Sequence, residues 1–453
     1  PDDFEGSDGK AYEQLNLEPS LVGLSYNTSA PMILKASPKP AIPGGSDVPV
    51  ELIFTYEVEY EPSDVPYSSR WDVYLRLEEG SQVHWVSLLG SLSLSLLLAG
   101  IVGAILLATV RRDLRKYNAV EIDEEVEALA AEIGWKYIHA DVLRPPRAPL
   151  ALSCAVGAAA QLWCCALATL SLAMFGLVSP TARGRLLTAA LLLLGLSAVP
   201  AGYVAARTYR QMTRGQRADG YMLQGALSFV LPGGVFASFT LLDVALWAQG
   251  ASSAVPFSTM AALLLLWLGV HVPLLSLGVA LGFRVPHAAG PIFTNQIARV
   301  VPTQPAYLHP ILTCLVGGLL PFGTAAIELS SLYASAWNGR VYFLFGFLFL
   351  MVLISTIVCI EVSILLTYLQ LCWEDYRWWW RSFFQTASSA VYFFGHATSY
   401  AHSELHLKGA TAVAIYYGYT TAAAAAIGLM TGALGFLASF WFVRTIYAAV
   451  KLD

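Results

Sequence analysis

Nine stretches of this chain are each long enough, as helices, to cross a bilayer, and none of them contains a Lys or Arg. The first, residues 86–110, is uncharged between His84 and Arg111. As a helix it is about 37 Å long, against a hydrocarbon core of about 30 Å. The others fall near 149–178, 186–206, 221–247, 259–283, 310–337, 341–369, 382–401 and 411–443. Asn338, Gly339 and Arg340 are turn-forming and make the sixth and seventh runs a helical hairpin rather than one long helix. Composition agrees: 56% of residues are hydrophobic and 13% charged, where soluble domains average roughly 25% charged. The expected fold is an α-helical multi-pass membrane protein with a nine-helix bundle over 86–443.

Orientation follows from the basic residues, which cytosolic loops retain. Segments 111–148, 207–220, 284–309, 370–381 and 444–453 hold 7, 4, 2, 2 and 2, while the alternate loops 179–185, 248–258, 338–340 and 402–410 hold 2, 0, 1 and 1. This places residues 1–85 on the luminal or extracellular side and the tail 444–453 in the cytosol. The head, with 15 acids and 5 bases, contains an alternating run at 50–60, VELIFTYEVEY, that predicts a strand buried on one face. It is read as the C-terminal strands and stalk of a larger β-rich domain. Asn27-Thr28-Ser29 is a glycosylation acceptor on the matching side. No basic run suggests nucleic acid.

In loop 111–148, Ile122, Val126, Leu129 and Ile133 recur at helical spacing among acids, which predicts an amphipathic helix packed on the bundle ends or a solvated spacer. All six Cys lie in or beside spans, so neither a disulfide framework nor a CxxC metal site is expected. HExxH, GxSxG and P-loop motifs are absent, so no catalytic residue and no cofactor is assigned. His396, His402 and His406 cluster at the luminal end of span eight. His402 and His406 would share a helical face as a pH sensor or weak metal site, but two ligands do not close a metal site and none is assigned.

Three carboxylates fall inside spans, Asp243, Glu328 and Glu361, accompanied by His271. Their cost in hydrocarbon predicts that they face the bundle interior, in static networks or a proton- or cargo-responsive site. Gly278-x3-Gly282 and Gly428-x3-Gly432 put small residues on one helix face, for internal packing or docking of a client helix. Pro200, Pro232, Pro273 and Pro321 interrupt spans three to six, and Pro232-Gly233-Gly234 is expected to unwind span four. Arg377, Trp378, Trp379, Trp380 and Arg381 predict an interfacial anchor, with indoles at headgroup depth and guanidinium groups on lipid phosphate.

The string QLCWEDYRWWWRSF at 370–383 closely resembles the signature of the nonaspanins, the transmembrane nine superfamily. HADVLRPP at 139–146, SSAVPFSTM at 252–260, TNQIARVVPTQPAYL at 294–308, LPFGTAAIEL at 320–329, EVSILLTY at 361–368 and FVRTIYAAVKLD at 442–453 are similar to further family motifs in the same order. Ala298 and Ala306 stand where the family usually has Pro and Trp, and Asp243 where relatives often have Asn. The resemblance implies a luminal β-sandwich, mostly absent from this chain, before nine helices. It also implies residence in Golgi and endosome membranes, and sorting of membrane proteins that carry glycine-rich transmembrane helices, without enzymatic activity. Lys451 and Asp453, at the end of a short tail, resemble the family's Lys-x-Asp/Glu signal, which implies capture by coatomer. The alternative from the residues alone is a secondary transporter or channel using the intramembrane carboxylates, though the two halves of the bundle show no internal repeat.

Overall fold

The structure, a computed structural model, describes residues 85–119, 134–178, 183–213, 220–251, 254–285, 294, 297–337, 345–405, 407 and 409–449. All belong to the unit Trp71–Asp453. The expected β head with its strand and Asn27, the amphipathic stretch of loop 111–148, the turn at 338–340, His406, Lys451 and Asp453 lie outside the described residues.

Among the described residues the chain forms helices and their connections, with no strand. The helices are α1 (Trp85–Ala119), α2 (Pro149–Met174), α3 (Arg183–Leu196), α4 (Ala198–Met212), α5 (Gly220–Gly225), α6 (Leu231–Ala248) and α7 (Phe257–Leu266), followed by α8 (Val272–Arg284), α9 (Pro310–Trp337), α10 (Phe345–Cys372), α11 (Trp378–Ala387), α12 (Ser389–Tyr400) and α13 (Ala410–Ala449). Among the described residues, seven helical runs are long and apolar enough to cross a membrane: Leu92–Arg112, Pro149–Met174, Gly184–Met212, Gly220–Ala248, Phe257–Arg284, Phe345–Cys372 and Ala410–Ala448.

The other two sequence runs are helical but different in kind. In α9 the apolar part is the shorter Pro310–Ala326. The run at 382–401 is split into α11 and α12 at Ser388, whose hydroxyl donates to the carbonyls of Cys314 and Gln385 instead of facing lipid. The third run is likewise divided, at Ser197, whose Oγ donates to the Leu194 carbonyl at 2.9 Å. At the C-terminus α13 continues to Ala449, so most of the expected tail 444–453 is helix. That extension is tied down: the Tyr447 hydroxyl donates to the Trp135 carbonyl at 2.5 Å.

The prolines explain the next departure. Pro232 does not unwind its span. It follows a π-helical turn, Ala226–Val230, and the helix then continues as α6. Pro273 is preceded in the same way by the π turn Trp267–His271. Proline lacks an N–H and its ring crowds the carbonyl one turn back. Widening that turn relieves the crowding while keeping backbone groups bonded inside the helix. Pro149 opens α2, where its missing N–H costs nothing. Pro321 is carried inside α9, and its carbonyl accepts from Thr324 at 2.8 Å and Ser355 at 3.1 Å.

The interior is unusually rich in small and hydroxylated residues. Ser153, Ser363, Thr367, Ser382, Thr386 and Ser439 are fully buried, while large aliphatic side chains such as Leu97, Leu187, Leu241 and Leu265 face outward. This is the arrangement expected in a lipid solvent, where close packing and interhelical hydrogen bonds replace a water-driven core. The closest approach is between α4 and α8. A methyl on Gly282 would stand 2.8 Å from the Tyr203 carbonyl oxygen, and one on Gly278 would meet the backbone of Val199 and Tyr203. Gly428 and Gly432 of α13 face Phe383, Ala387 and Ala390 in the same manner. Of the two readings of these four glycines, internal packing and docking of a client helix, the contacts fit the first: the chain's own helices fill all four faces. Gly282→Ala is expected to cost about 1–3 kcal/mol through overpacking. Gly234→Ala, where nothing lies within 4 Å, should be neutral or stabilising by up to about 1 kcal/mol. Thermal unfolding of the two purified variants in detergent measures the difference.

Candidate functional site at the signature end of the bundle

Residues 373–377 join α10 to α11 by a tight stop. The Glu374 N–H donates to the Leu371 carbonyl at 2.9 Å and the Asp375 N–H to the Gln370 carbonyl at 3.2 Å. With Glu374 at φ 60 this is a Schellman ending, in which the left-handed position is usually glycine. Glu374 is held there by Arg299, whose Nη2 lies 2.8 Å from Oε2. The Arg299 guanidinium sits over the Tyr137 ring, 3.5 Å from its centroid. Gln304 adds a bond from Nε2 to the Trp373 carbonyl at 2.9 Å.

Asp375 is 1% exposed and pairs with both arginines of the signature. Its Oδ1 accepts from Arg377 Nε at 3.0 Å and its Oδ2 from Arg381 Nη1 at 2.9 Å. Arg381 also donates to the Leu308 carbonyl. The tryptophans turn inward. Trp378 is fully buried, donates from Nε1 to the Val142 carbonyl at 2.9 Å and stacks on Trp379 with centroids 4.3 Å apart. Trp380 donates to the Arg147 carbonyl at 2.6 Å.

The expected interfacial anchor is thus corrected for Trp378, Trp379 and Arg381: the tryptophans, with Trp380, clasp segment 135–147 to the ends of α10 and α13, and Arg381 ties α11 to Asp375 and Leu308. The physical reason is that the Trp378 N–H finds a backbone carbonyl inside the protein, the Trp379 ring is buried against Trp378 and Phe436, and Arg381 finds a buried carboxylate rather than a phosphate. Arg377, with its side chain 63% exposed, is left facing outward. Asp375 is the residue that sequence reasoning missed, although a lone Asp between Trp and two Arg was visible in the string.

The intramembrane ionisable residues do not converge. Pro321 and Ser355 lie at one level of the α9–α10 hairpin. Glu328 is seven residues from that level toward one end and Glu361 six toward the other, so about 20 Å separates them along the helices. Glu328 is 3% exposed. Glu361 lies against α1, its Oε1 3.1 Å from where a methyl on Gly103 would sit, with Oε2 buried and unpartnered. Asp243 is 1% exposed and accepts the Val255 N–H at 2.8 Å, closing the connection between α6 and α7. His271 lies in the π turn before α8 and shares a bond with Gln161 Oε1 at 3.3 Å. His402 is in the π turn Ala401–Leu405, and no group of three potential metal ligands occurs among the described residues.

Hydroxyls instead form the connected polar feature. The Ser363 Oγ donates to the Gly435 carbonyl at 2.7 Å, Ser439 lies 2.8 Å from both Ser363 and Thr367, and Ser389 lies 2.9 Å from Thr431. This seam fastens α10 and α12 to α13. Sequence reasoning overlooked it because single Ser and Thr residues in apolar runs carry no spacing signal. Asp375→Asn keeps the shape of the clasp but removes the charge opposite two guanidinium groups. Breaking such a buried pair should cost about 3–5 kcal/mol, read as a lowered unfolding temperature of the purified protein.

The arrangement, a helical bundle closed at one end by this clasp, has relatives. The endomembrane protein 70 family profile matches residues 16–410. The chain is 42% identical over 403 residues to transmembrane 9 superfamily member 10 of Arabidopsis thaliana, covering 89% of this chain and 62% of that protein. It is 40% identical to human transmembrane 9 superfamily member 4 (89% and 62%) and to human member 2 (89% and 60%). The chain thus spans about three fifths of the length of these relatives. No solved structure matches it. A profile match over most of the chain, together with these identities, makes the chain a member of the endomembrane protein 70 family and a multi-pass membrane protein.

Proposed function

We propose that the chain sorts or localises other membrane proteins in Golgi and endosome membranes by recognising their glycine-rich transmembrane helices, without catalysing a reaction. The reading starts from the family resemblance. The observation that supports it is the run Gly220–Ala248, which has 6% of its most apolar window buried, the smallest share among the seven candidate spans in the described residues. Along α6, Gly234 and Ser238 are exposed, four residues apart and on one face. A second helix could approach there closely, as small residues allow in lipid. The glycine faces at 278, 282, 428 and 432 are already occupied, which leaves α6 as the surface for a client helix. Transport finds no support in the separated carboxylates.

The same proposal places the head in the lumen and the tail in the cytosol, where Lys451 and Asp453 would be read by coatomer. A photo-crosslinking side chain at Ser238, compared with one at the equally lipid-facing Leu187 (63% exposed), tests client binding in endomembranes. Capture of proteins with glycine-rich transmembrane helices from position 238 and not from 187 is expected. Equal capture from both positions, or none from 238, contradicts the reading. Lys451→Ser carried through the same cells should leave the crosslinks intact while moving the protein out of the Golgi.

A further inference from the structure

The C-terminal turns of α13 carry a groove of about 660 Å³ lined by Phe440, Trp441, Arg444, Thr445 and Ala448. That volume is within the range of small-molecule sites. One wall is apolar: Trp441 is 65% exposed and Phe440 lies beneath the Arg444 guanidinium, 5.6 Å from ring centroid to Cζ. The other is polar, with the Arg444 Nη1 donating to Gln211 Oε1 at 3.0 Å. That contact uses one of the five N–H donors a guanidinium offers. None of the lining residues is acidic. Gln211 belongs to segment 207–220, which carries four Arg and one acid.

We propose that this groove binds the phosphate headgroup of an anionic glycerophospholipid in the leaflet that the basic loops face. The charge is complementary, since Arg444 presents a fork of donors suited to phosphate oxygens and no acidic residue lines the groove to attract a cationic headgroup. The apolar wall commits the site to a lipid rather than a free anion. Trp441 stands where acyl chains would lie, and an inorganic or soluble phosphate would leave that wall unused. Basic recesses beside transmembrane helices bind lipid headgroups by the same balance of charge and apolar contact. The Arg444–Phe440 contact holds the guanidinium over the groove, because a cation is attracted to the ring face.

The full chain, reconstituted in nanodiscs of phosphatidylcholine with phosphatidylserine and then extracted in mild detergent, allows retained lipid to be counted by mass spectrometry. Phosphatidylserine should be retained in preference to phosphatidylcholine. Arg444→Gln should lower its retention by roughly tenfold, the loss expected for a charged hydrogen-bonding group. Arg111→Gln, an exposed Arg on α1, should leave retention unchanged. Trp441→Ala and Thr445→Val leave the Gln211 contact in place and should each weaken retention, so the proposal stays testable if Arg444→Gln does not fold. Soluble glycerophosphoserine should fail to displace the lipid. Equal effects of Arg444→Gln and Arg111→Gln, unchanged retention in Trp441→Ala and Thr445→Val, displacement by the soluble headgroup, or equal retention of phosphatidylcholine would each overturn it.

Discussion

In hydrocarbon the backbone polar groups must find their partners inside the protein, and the rest of this structure follows from that requirement. It decides why the spans are helices. It also decides why the interior holds Ser, Thr and Gly while many Leu face outward, and why close helix contacts occur at glycine. The α4–α8 contact and the seam from Ser363 to Ser439 meet it in two ways. One brings backbones together by removing side chains, and the other links helices through hydroxyls.

The same requirement governs the irregular places. Two spans carry a proline two residues into a helix, and in both the preceding turn widens to π geometry rather than opening. At the signature end the requirement is met by side chains. The carbonyls of Val142 and Arg147, outside any regular helix, accept from Trp378 and Trp380. The buried Asp375 is neutralised by two arginines drawn from its own segment. A sequence that would suit a lipid anchor thus serves as a clasp, because partners were available within the fold.

The apolar runs made the helices and their approximate limits legible, since a transmembrane helix writes its length directly into the sequence. The breaks at Ser197 and Ser388 were not legible, because a single serine in an apolar run looks the same whether the helix continues or stops. Gly278 and Gly432 were rightly read as close-contact positions. Whether the contact was with the chain itself or with another protein could not be read, because that depends on which helices become neighbours. The signature string identified the family, yet its chemistry was misjudged because the orientation of an indole depends on distant carbonyls at 142 and 147. Glu328 and Glu361 were legible as interior residues, but their separation was not, because it depends on the register of the α9–α10 hairpin.

The central claim is that the tryptophan signature is a buried clasp on segment 135–147. Hydrogen–deuterium exchange of the protein in nanodiscs, followed by mass spectrometry of peptides covering 134–148, tests it most directly. The account predicts slow exchange across this segment in the wild type, and faster exchange in Trp378→Phe, which keeps an aromatic ring but loses the donor to Val142. Exchange in the wild type as fast as in an exposed loop, or protection unchanged by Trp378→Phe, would contradict it.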